Sequence, residues 1–116
     1  MAPLRPMGFY SSNAPGVPAL DLQEKQFLAL VRELAQWCGW RVYHTHDSRR
    51  SPAGFPDLVL VRRPIVILAE LKAARGRLTP EQRAWLEALG QCPGVETYLW
   101  RPSDWRQIEA RLKRPS

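Results

Sequence analysis

Two apolar runs of strand length stand nearly back to back in the middle of the chain, Leu58-Val59-Leu60-Val61 and Ile65-Val66-Ile67-Leu68-Ala69. Both are rich in Val and Ile without polar alternation, which predicts paired strands buried on both faces. The connecting Arg62-Arg63-Pro64 lacks the Asn-Gly or Gly of a tight two-residue hairpin, so a looser loop is expected. Upstream, Phe27, Leu30, Val31, Leu34, Ala35 and Cys38 recur at helical spacing and predict a helix from Leu22 to Cys38, stopped by Gly39. From Trp40 to His46 the chain alternates, with Trp40, Val42 and His44 on one side and Arg41, Tyr43 and Thr45 on the other, as in a strand. Thr79-Pro80-Glu81-Gln82 carries helix-start signals: Thr as N-cap, Pro in the first turn and Gln three after the cap. A strand over Val95 to Trp100 and a last helix opening at Pro102 or Ser103, with Trp105, Ile108 and Leu112 inward, complete the pattern. The order α-β-β-β-α-β plus a C-terminal helix combines a hairpin with a helical crossover, predicting an α/β fold with a mixed sheet flanked by helices.

Apart from the arginines of the turn, charge enters the central hairpin only at its mouth. Asp57 begins the first strand, and Glu70 and Lys72 end the second. Residues two apart on a strand share a face, so Glu70 and Lys72 project together while Leu71 turns away. Antiparallel pairing places the start of one strand beside the end of the next, which brings Asp57 to Glu70. Adjacent carboxylates repel, and Mg2+, a hard cation that takes one or two carboxylates with water and substrate phosphate, relieves the repulsion. The plainer alternative is a Lys72 salt bridge at the sheet rim.

The chain has 116 residues, enough for one small core. Its 17 Lys and Arg against 11 Asp and Glu give +6 and a sequence pI near 10.0, which points to a polyanionic partner, nucleic acid first. No uncharged apolar run approaches the roughly 20 residues of a spanning helix, and the N-terminus lacks the order of a secretory signal, so a cytoplasmic protein without membrane contact is expected. Residues 1–19, rich in Pro and Gly, are expected to form a flexible arm, with Phe9 and Tyr10 able to dock elsewhere, and residues 20–116 the domain. Cys38 and Cys92 lack zinc-ligand spacing and read as small buried hydrophobes.

Several polar residues admit two readings. Glu24 falls on the inward face of the first helix, yet Asp21 and Glu24 also stand three apart, as in a capping box. His44 and His46 are either ordinary strand residues or contacts to phosphate or metal. Arg49 and Arg50, in the loop leading to Asp57, are either solvated or DNA contacts, and Arg75 and Arg77 lie in a second basic loop after Lys72. Gln82 has a full structural reason in the helix cap, but it shares a face with Trp85, Leu86 and Leu89 that can look toward the acidic cluster; Trp85 itself reads as core.

Pro56-Asp57 followed by Glu70-Leu71-Lys72 resembles the PD-(D/E)XK nuclease signature. With Gly54-Phe55 before it and Leu78-Thr79-Pro80-Glu81-Gln82-Arg83-Ala84-Trp85-Leu86 after it, the stretch resembles the VRR-Nuc branch, the virus-type replication-repair nucleases, over about residues 22 to 109. The resemblance implies a restriction-endonuclease-like core and hydrolysis of DNA phosphodiester bonds to leave a 5'-phosphate and a 3'-hydroxyl. It implies Mg2+ or Mn2+ held by Asp57, Glu70 and the Leu71 carbonyl, with Glu24 serving a second ion or a water. Lys72 then orients the nucleophile and neutralises developing charge, and Gln82 joins the active-site set. Stand-alone members resemble dimeric resolvases of branched DNA, which implies a homodimer acting on Holliday junctions. Many relatives carry a longer loop before Asp57, so that loop's substrate contacts do not transfer. Two rivals stay open: a general or sequence-preferring DNA endonuclease, and an inactive nuclease-like DNA-binding module. A structural partner protein would leave the acidic cluster unexplained.

Overall fold

The structure, a computed structural model, describes residues 21–46 and 51–115. The expected arm, with Phe9 and Tyr10, lies outside the described residues, as do Arg49 and Arg50. The elements are α1 (Glu24–Trp37), β1 (Arg41–His44), β2 (Leu58–Arg62), β3 (Ile65–Leu71), α2 (Pro80–Gly90), β4 (Val95–Trp100), a short 3-10 turn (Pro102–Asp104) and α3 (Trp105–Lys113). Four strands form one sheet in the order β1-β2-β3-β4, antiparallel except for the parallel β3 and β4 pair bridged by α2. This is the mixed-sheet, restriction-endonuclease-like α/β architecture with an added C-terminal helix.

Register sorts the side chains between two unequal faces. Leu58 and Leu60 stand opposite Ala69 and Ile67, and β4 adds Tyr98 and Trp100 on the same side. Against this face pack Phe27, Val31, Leu34 and Ala35 of α1 and Trp105, Ile108 and Leu112 of α3, closing the core. The other face meets α2, which packs on β3 and β4. Strand β2 is therefore not buried on both sides as its sequence predicts: Leu58 and Leu60 are fully buried, but Val59 and Val61 are only half-buried. The reason is that α2 covers the far half of its face of the sheet. Tyr43, opposite Val59, is 62% exposed.

Several boundaries differ from expectation. The hairpin loop is tight, because Arg62 pairs with Ile65 and only Arg63 and Pro64 intervene, joined by a cis peptide bond. Arg62 is thereby the last residue of β2. Its guanidinium donates to Cys38 O at 2.9 Å, to Leu112 O at 3.1 Å and to Arg114 O, and stacks 4.4 Å from the Trp40 ring centroid. It satisfies carbonyls at the ends of both α1 and α3, which carry no intrahelical partner. Gly39, at φ 87°, ends α1 as its sequence predicts. Cys92 is exposed and Cys38 half-buried, so neither is the fully buried hydrophobe expected; the turn after α2 keeps Cys92 at the surface, where its Sγ lies 3.9 Å from Ala88 O. Among the described residues no helix is long and apolar enough to cross a membrane.

On the closed face, Arg111 of α3 donates two hydrogen bonds to Glu96 of β4, at 2.7 and 2.9 Å. They hold the Glu96 carboxyl down to about 2 from the ordinary 4.5, against partial burial and with help from the Tyr98 hydroxyl. A depressed carboxylate stabilises the fold fully above pH 4.5 and loses that contribution as pH falls toward 2. Thermal unfolding of the wild type is expected to drop more steeply through that acid range than that of Glu96→Gln; parallel curves would refute the pairing.

Candidate active site

The site assembles where β2 begins and β3 ends. Asp57 precedes β2 by one residue, and continuation of the register from Leu58 opposite Ala69 sets it opposite Glu70. Both ends of Asp57 are fixed. Thr45, just past β1, donates its N–H to Asp57 O at 2.8 Å and its hydroxyl to Pro56 O at 2.9 Å. Asp57 Oδ2 accepts from the Leu71 N–H at 2.8 Å, across the mouth of the hairpin. Pro56 itself is fully buried.

Glu70 is 2% exposed and is the one buried charged residue among those described. Its Oε2 accepts from Gln82 Nε2 at 2.9 Å and lies 3.7 Å from Lys72 Nζ. Its Oε1 is buried and accepts no hydrogen bond, although the protonated Glu70 carboxyl can share one with Asp57. Burial chiefly, and next the facing Asp57, push its carboxyl up to about 8, and Lys72 only partly opposes them. Glu24 is exposed at the first position of α1 rather than packed inward, yet its charge still reaches Glu70. The helix start explains the difference: Gln23 is the N-cap, and its N–H donates to Gln26 Oε1 at 3.3 Å, so Asp21 and Glu24 do not form the cap.

Gln82 performs both tasks that its sequence position allowed. Its side-chain oxygen accepts from the Thr79 N–H at 2.9 Å in the capping box of α2, while its side-chain nitrogen donates to Glu70. One amide thus ties the helix start to the carboxylate. What brings α2 close enough is Gly54, at φ 97°: a Cβ there would lie 2.6 Å from the Glu81 carbonyl carbon. Phe55, next along, meets Trp85 edge-on at 5.2 Å between centroids, so the half-buried Trp85 packs beneath this loop and not in the α1 core. Thr45 escapes motif reading because it acts through its backbone and hydroxyl, while Gly54 and Phe55 stand in the motif without the packing role that the fold gives them.

The remaining candidates lie around this centre. Arg75 and Arg77 are exposed in the loop after Lys72. His44 shares the inner sheet face with Leu58, and its Nδ1 is buried without a partner. Burial, then His46 at 4.8 Å and Arg32, lower its pKa and favour the neutral ring. The chain ends β1 at His44, so His46 lies beyond the strand.

A divalent ion suits these residues. No group of three or more His, Cys, Asp or Glu able to hold a metal occurs among the described residues. The Asp57 and Glu70 pair, with one buried oxygen that accepts no hydrogen bond, nonetheless offers hard donors to a cation that keeps several waters and takes substrate phosphate.

A mixed sheet whose hairpin mouth gathers two carboxylates and a lysine defines a nuclease-type domain of the PD-(D/E)XK class. The family model for the VRR-NUC domain matches residues 5–101, and the chain belongs to that family. DNA is accordingly its partner. A solved structure described as a VRR_NUC domain protein superposes with a TM-score of 0.58 at 18% identity, covering 80% of this chain and 87% of that one, a likeness of fold. A search of curated proteins gives no match.

Two outcomes test this geometry. Gly54→Ala should lower the free energy of unfolding by about 1–3 kcal/mol, measured in urea, because a side chain is strained at that φ and collides with α2. Glu70→Gln should raise it in EDTA. Glu70 favours the fold below pH 4.5 and loses that contribution as pH rises through about 8, whereas glutamine cannot ionise. A variant less stable than wild type above that pH would contradict the burial argument.

Proposed function

We propose that the chain is a metal-dependent DNA endonuclease acting on branched DNA in the manner of a Holliday junction resolvase. The observation that carries this reading is Glu70, buried with one oxygen that accepts no hydrogen bond, facing Asp57 and flanked by Lys72 and Gln82. Such a group is costly to the fold and is retained where it has a ligand to meet.

Asp57, Glu70 and the Leu71 carbonyl would hold Mg2+ or Mn2+, with exposed Glu24 serving a second ion or a water. The bound ion supplies Lewis acidity toward the scissile phosphate and a lowered pKa for a water. The Leu71 N–H fixes one Asp57 oxygen and Gln82 fixes one Glu70 oxygen, so each carboxylate is oriented before substrate arrives. Lys72, with only 14% of its side chain exposed, orients the attacking water and neutralises charge gathering on the phosphoryl oxygens. In-line attack would then leave a 5'-phosphate and a 3'-hydroxyl. Arg75 and Arg77, with Arg49 and Arg50 a few residues before Asp57 in the sequence, are assigned to phosphate contacts, in keeping with the +6 charge. A homodimer in the cytoplasm would present two sites to two opposed strands of a four-way junction; light scattering tests it.

The deciding experiment offers purified protein four-way junctions, flaps and linear duplex with Mg2+, Mn2+ or EDTA. Cleavage should require the metal, disappear in Asp57→Ala and fall about 10²- to 10³-fold in Lys72→Ala. Cutting untouched by Asp57→Ala would remove the assignment. Duplex cut as fast as junctions would leave a general endonuclease, and metal-independent binding without any product would leave a DNA-binding module.

A further inference from the structure

The loop that follows Lys72 is gathered by a residue from a different element. Arg101 stands directly after β4, and its backbone N–H donates to Asp104 Oδ2 at 2.9 Å, which anchors the root of its side chain. From there its Nη1 reaches three carbonyls of that loop: Ala73 O at 2.9 Å, Ala74 O at 3.3 Å and Gly76 O at 2.5 Å. The loop also closes on itself, with the Gly76 N–H donating to Ala73 O at 3.0 Å.

This arrangement bears on Lys72. The lysine lies one residue past β3, and its N–H is fixed to Trp100 O at 3.0 Å, but its side chain must run alongside the loop. A Cβ built on Gly76 would stand 3.2 Å from Lys72 Cδ and 3.3 Å from Lys72 Cβ. The Gly76 backbone therefore lies against the lysine stem and limits where Nζ can go. Charge-assisted hydrogen bonds to carbonyls are among the stronger ones, and here three carbonyls converge on one nitrogen, which shares its two hydrogens among them. With that nitrogen turned inward to the loop, Arg101 is better placed to hold the loop than to hold a phosphate.

We propose that Arg101 is a positioning residue for phosphodiester hydrolysis. By gathering the carbonyls of Ala73, Ala74 and Gly76 it packs the loop on the Lys72 stem and keeps Nζ beside Glu70. The inference rests on the reading of Lys72 as the charge-neutralising group.

The test compares wild type with Arg101→Met, which keeps length and loses every donor, and Arg101→Lys, which restores a nitrogen donor. Junction cleavage is measured at saturating Mg2+, and amide hydrogen exchange is followed at Gly76 and at Ile67 in the core. Arg101→Met should lower kcat about 10- to 100-fold with KM nearly unchanged, the size expected of a misplaced catalytic group. Gly76 exchange should quicken while Ile67 stays protected, and Arg101→Lys should recover most of both. Should Arg101→Met fail to fold, Gly76→Ala keeps all three acceptors, presses on Lys72 and should show the same kcat loss. A raised KM with kcat preserved, or Gly76 exchange unchanged in Arg101→Met, overturns the positioning role. Absence of cleavage by the wild type instead defeats the hydrolytic reading, and this inference with it.

Discussion

The pairing of β2 with β3 in the register that sets Leu58 opposite Ala69 is the constraint on which the candidate site depends. Side chains alternate with a period of two, so a slip of one residue would turn Glu70 into the α1 core and expose Ala69 and Leu71 instead. The register is held by apolar burial, since Leu58, Leu60, Ile67, Ala69 and Leu71 all face the same helices and all are buried. Hydrophobic packing on one face thus fixes the charged geometry on the other.

That geometry is strained electrostatically rather than sterically. A carboxyl held near 8 by burial and by Asp57 is a liability to folding at neutral pH and above. Gln82 and Lys72 offset part of it, and one oxygen accepts no hydrogen bond. Sites of this kind are where proteins give up stability for chemistry. Helix α2 shares the task, because the amide that closes its capping box also braces Glu70, and Gly54 lets the Asp57 loop approach its first turn.

The two faces of the sheet divide their duties. The α1 and α3 side is closed by large side chains, by Arg62 capping the ends of both helices and by the Trp40 Nε1–H donating to Leu112 O at 3.0 Å. Glu96 and Arg111 are paired there in an ordinary structural ion pair, which lowers the carboxyl pKa. On the α2 side the carboxylate of Glu70 moves the opposite way. The same residue type is driven in opposite directions because one has a bidentate cation and the other has burial and a facing acid.

Much of this was legible in the chain. Helical spacing from Phe27 to Ala35, the start signals at Thr79 to Gln82 and the bounds of Val95 to Trp100 are local properties, written in residues that touch their own neighbours. Family resemblance runs through Asp57, Glu70-Leu71-Lys72 and Gln82, residue types in a recognisable order along the chain that the fold gathers from the hairpin mouth and the start of α2. Where the structure departs from the pattern along the chain, a distant element decides the outcome. Val59 and Val61 look like core residues until α2 is seen to cover only β3 and β4, and Arg62 looks like a turn residue until α3 brings its last carbonyls within reach. By itself the sequence determined the elements, their order and the charged residues at the hairpin mouth. Which oxygen of Glu70 is bonded, that Glu24 is exposed and that Arg101 grips the Lys72 loop were decided only by tertiary structure, because hydrogen bonding and burial depend on what the fold brings alongside, and spacing along the chain carries no record of it.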